Sequence, residues 1–182
     1  MGCCPCKEQQ MSDDTFKIYQ HIIESTPYYL FQILEKHPQL YYRILCKAVE
    51  SNYDLRQYIN DTSYYNSWFS NHIFCLSYCV GDLKFIPERD SVFYGKNTSI
   101  DQNLGIKILD KLIELDANIY ATNYYDSTII ASIHKSGLTK RTNNERFIKK
   151  LVNYYHNSNY DSQQEQTNNY QELKQVDEYS KI

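Results

Sequence analysis

The chain has 182 residues and a formal charge of −3, enough for one domain with a buried core, and it lacks the basic surplus of a nucleic-acid binder. Tyrosine is abundant (19) while glycine (5) and proline (4) are scarce, which suits helices joined by short turns better than a β-rich fold. With no apolar run of about 18 residues, nothing is expected to span a bilayer. The first residues also lack a signal-peptide core, which predicts a cytosolic chain with reduced thiols.

Residues 1–11 hold half of the six cysteines and little that can pack. A first amphipathic helix is predicted from Ser12, its N-cap, through Phe16, Tyr19, Ile22 and Ile23. Thr26-Pro27 opens a second, carrying Leu30, Phe31, Ile33 and Leu34 and stopping before His37-Pro38. A third runs from about Gln39 to Glu50, with Leu40, Ile44, Leu45 and Val49 as its stripe. Residues 54–59 read as a short helix and 60–66 as a polar turn. Residues 68–80 read as a strongly apolar helix closed by Gly81. The connection 82–102, with Pro87 and Gly95, is long for a compact domain and is either a functional excursion or a misread repeat.

Residues 106–115 follow as a helix with Ile106, Leu109, Leu112 and Ile113 on one face. A short turn leads to a polar stretch, then to Thr128, which can cap another helix, and Gly137, which can end it. A last helix is predicted over 144–155, with Phe147, Ile148, Leu151 and Val152 inward. From Asn157 the sequence is Gln, Asn, Ser and acidic residues, and disorder is expected there. The expected organisation is an all-α domain over 12–156, between a flexible N-terminus (1–11) and a disordered tail (157–182).

Residues 106–137 resemble an ankyrin repeat, a unit of about 33 residues with two helices and a projecting loop. Asp116-Ala117 stands where the family has Gly-Ala, and Asp tolerates the left-handed conformation wanted there. Asn118-Ile119-Tyr120-Ala121 follows the family's turn pattern, with Asn118 for aspartate and Tyr120 for asparagine. Of the Thr-Pro-Leu-His signature Thr128 remains, while Ile129 replaces proline and Ala131 replaces histidine. The resemblance implies a stack of antiparallel helix pairs and a non-catalytic role in holding a protein partner. It points to the loop and inner-helix positions Tyr120, Asn123, Tyr124, Tyr125 and Lys135 as partner-binding. It implies no cofactor.

Gly2, Cys3 and Cys4 form a second signal. Gly2 would present an unhindered amine for N-myristoylation, and the adjacent thiols are placed for palmitoylation, although Cys6 stands where Ser or Thr is usual. One myristoyl chain gives only marginal membrane binding, of about 10⁴ M⁻¹, so a second chain would be needed for a stable tether. Unmodified thiols, or a soft-metal or redox cluster, are the alternatives.

His72, Cys75 and Cys79 share one helical face, where zinc is conceivable but a buried core face is the preferred reading. The sequence has no nucleophile elbow, phosphate loop, zinc-protease or calcium motif. Lys140, Arg141, Arg146, Lys149 and Lys150 read as a solvated basic face, or as a contact for an anionic membrane. The expectation is an adaptor in the cytoplasm, held at the cytosolic face of a membrane if the N-terminus is acylated. The alternatives are a soluble helical bundle without a lipid anchor and a small thiol- or zinc-dependent enzyme.

Overall fold

A computed structural model describes residues 10–60, 71–81, 100–122, 128–131 and 145–157. The chain is all-α. Its helices are α1 (Asp13–Ser25), α2 (Tyr28–Lys36), α3 (Pro38–Glu50), α4 (Arg56–Asn60), α5 (His72–Gly81) and α6 (Gln102–Glu114), followed by a helix over 145–157. Among the described residues the only β pairing is an isolated antiparallel bridge between Thr122 and Thr128.

Local chemistry sets most of the helix ends. Ser12 caps α1 by accepting from the Thr15 amide, and Asp13 and Asp14 sit in the first turn, where the helix dipole favours negative charge. Pro38 begins α3 at a position whose missing N–H costs nothing. The core face of α3 is Tyr41, Ile44, Leu45 and Ala48, so the predicted stripe is rotated slightly. Leu40 is only partly buried, and so is Val49.

Two predicted starts are corrected. The apolar helix begins at His72 rather than residue 68, because Asn71 caps it: its Oδ1 accepts from the amides of Ile73 and Phe74, both at 3.1 Å. The helix predicted from Ile106 begins a full turn earlier, capped by Asp101, whose Oδ2 accepts from Asn103 (3.1 Å) and Leu104 (3.2 Å). Gly105 therefore lies inside α6. A Cβ there would overlap the methyls of Val80, so this glycine lets α5 and α6 approach closely.

α3 and α6, each 13 residues long, end in the same way. Asn52 (φ 51°) and Asp116 (φ 63°) both adopt the left-handed conformation. After α3, Asn52 N–H donates to Val49 C=O (3.2 Å) and Tyr53 N–H to Ala48 C=O (2.9 Å). After α6, Asp116 N–H donates to Ile113 C=O (3.0 Å) and Ala117 N–H to Leu112 C=O (2.9 Å). This is the Schellman pattern twice over, and Asp116 takes the conformation expected of it. Further on, Asp54 accepts from the Arg56 amide as Asn118 accepts from the Tyr120 amide, both at 2.9 Å.

α3 packs on both α2 and α6, α5 packs on both α2 and α6, and α1 lies against α2 and α3. Ile23, Leu30, Leu34, Ile44, Leu45, Ile108 and Leu112 are fully buried in one contiguous core that also takes in Phe147 and Leu151 of the last helix. α5 is exceptional. His72, Ile73, Phe74, Cys75, Leu76 and Ser77 are all buried, as expected of a helix that is apolar all round and enclosed by protein.

Candidate functional site

The turn after α6 is fixed by asparagines from distant parts of the chain. The Asn60 side chain donates to Asp116 C=O (2.9 Å) and accepts from the Asn118 amide (2.7 Å). Asn71, while capping α5, donates to Asn118 C=O at 2.6 Å. One segment, 116–118, is thereby tied to the end of α4 and the start of α5. The chain then runs to Thr122, which bridges to Thr128, and Thr128 Oγ1 accepts from the Ala131 amide at 3.2 Å as a helix cap.

Of the predicted partner-binding residues, the structure describes Tyr120. Its hydroxyl donates to the Tyr155 backbone carbonyl (2.9 Å), and the two rings lie 4.8 Å apart. Tyr120 thus braces the turn against the last helix and is half-buried. Asn123, Tyr124, Tyr125 and Lys135 lie outside the described residues, as do Gly2, Cys3 and Cys4.

A shallow cleft of about 330 Å³ separates the two equivalent turns. Ala48, Asn52, Asp54, Glu114 and Asp116 line it, and Arg56 spans it, reaching Asp116 at 3.4 Å and Asp54 at 4.0 Å. These groups are well exposed, so such pairs contribute little to stability.

The other polar cluster is interior. His72 Nδ1 shares a 2.7 Å hydrogen bond with the Tyr41 hydroxyl, the two rings being nearly parallel. The Phe31 ring lies over the imidazole, with centroids 3.5 Å apart. His72 Nε2 is buried without a hydrogen-bond partner. Burial pulls His72 down to about 3 and pushes the Tyr41 phenol well up. The Cys75 thiol is also pushed well up, first by its hydrogen bond with Cys79 and then by burial. A thiol held protonated is a poor nucleophile and a poor metal ligand. Among the described residues, no group of three His, Cys, Asp or Glu side chains is placed to hold a metal.

The basic face is largely engaged. Lys150 pairs with Asp110 (2.8 Å), which also accepts from the Tyr154 hydroxyl (2.8 Å), and Lys149 pairs with Glu145 (2.6 Å). The hydrogen bond to Asp110 holds the Lys150 ammonium above its usual range. Gln102 Oε1 accepts from the amides of Arg146 (2.9 Å) and Phe147 (3.3 Å), anchoring the start of the last helix on α6. Lys140 and Arg141 lie outside the described residues. No described helix is long and apolar enough to cross a membrane.

Sequence reasoning missed Asn60, Asn71 and Gln102. Asn71 carried a readable signal, an Asx residue just before an apolar run. The partners of Asn60 and Gln102 are too distant in sequence for any local pattern. No family model, curated protein or solved structure matches this chain.

Proposed function

We propose that the chain is a degenerate ankyrin-like stack acting as a non-catalytic protein–protein interaction adaptor, tethered to a membrane through acylation of Gly2, Cys3 and Cys4. The observation that carries the reading is the repeated turn: α2–α3 and α5–α6 each close in a left-handed residue with the same hydrogen bonds. Asn52 and Asp116 stand about two family periods apart in sequence although α3 packs directly on α6. In this reading the two units are neighbours with about one period of chain inserted between them. The Thr128 cap and the Thr122–Thr128 bridge suit a third unit whose second helix is 145–157. Helix-pair stacks present loops and helix faces to partners, and tyrosines serve well there because they combine apolar area with a hydroxyl.

Tyr120 serves the scaffold in this reading, leaving Asn123, Tyr124, Tyr125 and Lys135 as the contact residues. One observation favours a second reading, a closed helical bundle: α5 is buried on every side and offers no open inner face. The test combines cross-linking in cells with metabolic labelling by tagged myristate and palmitate. Under the adaptor reading, Tyr124→Ala/Tyr125→Ala loses a specific cross-linked partner while the melting temperature holds. Gly2→Ala loses both labels and membrane recovery. A partner set unchanged by the tyrosine variant defeats the contact assignment, and an unlabelled, wholly soluble wild type defeats the tether.

A further inference from the structure

His72 is the point where three helices meet. It sits in the first turn of α5, fully buried, with its ring face against Phe31 of α2 and its Nδ1 on the Tyr41 hydroxyl of α3. Its Nε2 is buried and has no hydrogen-bond partner. A neutral imidazole can occupy this place at modest cost. An imidazolium would carry N–H donors on both nitrogens and a full charge in a site with a partner for only one of them. The amino end of α5 adds positive potential, which opposes protonation further.

Among the described residues, no carboxylate pairs with the ring. The titratable groups described near it are Tyr41 from α3 and Cys75 and Cys79 from α5 itself, with Glu35 of α2 acting on Cys75. Tyr41 and Cys75 are both held in their neutral forms. α6 meets α5 through an apolar contact, Gly105 against Val80. Burial is the main cause that lowers His72.

We propose that His72 is an acid-released latch: the α5–α6 pair stays docked on the α2–α3 pair while the imidazole is neutral, and proton uptake accompanies undocking. The latch is independent of the adaptor reading, since it concerns the joint and not what the surface binds. The sign follows from linkage. The docked form holds the ring at about 3, whereas the opened chain takes a proton near the ordinary 6.5. Docking is therefore unaffected above pH 6.5. Below it, the docking equilibrium falls by up to about tenfold per pH unit, until the docked form itself protonates.

The test is urea unfolding and amide hydrogen exchange at α5, on the full chain between pH 7.5 and 4.5, for wild type and His72→Gln. Glutamine keeps a polar group of similar length but does not titrate in this range, and the remaining four of the five histidines are common to both proteins. The expected result is that opening at α5 gains about tenfold per pH unit in wild type relative to the variant below pH 6. Parallel pH profiles overturn the latch. Should His72→Gln fail to fold, the His72 imidazole resonances of the wild type decide instead. They keep neutral positions to pH 5 in the folded protein if the latch holds, and their titration near 6.5 with the fold intact overturns it.

Discussion

α3 and α6 are closely matched at their carboxyl ends and opposite in their interiors. Both end in a left-handed residue, and both carry a lysine–glutamate pair in the last turn, Lys47–Glu50 at 3.3 Å and Lys111–Glu114 at 2.6 Å. Counting from the first residue of each helix, however, Tyr41 and Gly105 occupy the same place. One sends a phenol across to meet His72. The other removes its side chain so that Val80 can come close. A turn is specified by its own few residues and tolerates repetition, whereas an interior position is specified by whatever lies opposite it.

The comparison breaks most readily at Tyr41. Tyr41→Ala removes a fully buried ring and leaves both nitrogens of His72 unpartnered, and a loss of about 3–5 kcal/mol is expected in urea unfolding. Tyr41→Phe keeps the ring, and about 1–3 kcal/mol is expected from the lost hydrogen bond. Equal losses for the two would mean that the hydroxyl, not the packing, carries the site.

Gly105→Ala is the next largest. In open space the substitution would gain about 1 kcal/mol of helix propensity. Overlap with Val80 costs about 1–3 kcal/mol and wins. In a Val80→Ala background the same substitution becomes neutral or stabilising, and differential unfolding of the four proteins measures that coupling. If it stays destabilising there, the close approach is not what the glycine serves.

The smallest effect sharpens the likeness of the turns. Asn52→Ala and Asp116→Ala should each cost about 1 kcal/mol, because alanine tolerates the left-handed region poorly, while glycine at either place costs nothing or stabilises. Thermal unfolding of the two pairs would separate equivalent turns from merely similar ones, since unequal responses mean that the asparagine ties at 116–118 add a constraint missing after α3.

The same contrast explains what could be read in advance. Ser12, Asp116 and Thr128 were legible because each acts on its own backbone or on a backbone group within a few residues. α1 to α3 were legible through their apolar spacing. The start of α6 was not, because Gly105 looks like a break unless Val80 is known to sit against it. Tyr120 read as an exposed contact residue because nothing local reveals that its hydroxyl reaches Tyr155. The pairing of His72 with Tyr41 and Phe31 was equally hidden, although burial of the His72–Cys79 face was expected from its composition.

The burial of α5 from His72 to Ser77 has a consequence for biosynthesis. α1, α2 and α3 leave the ribosome first, with the apolar surface that α5 will later cover still open. α5 in turn requires α6 before both of its own flanks are protected. The nascent protein therefore passes through a stage in which its most apolar helix has been made but cannot yet be housed, and at that stage a chaperone has the most to hold.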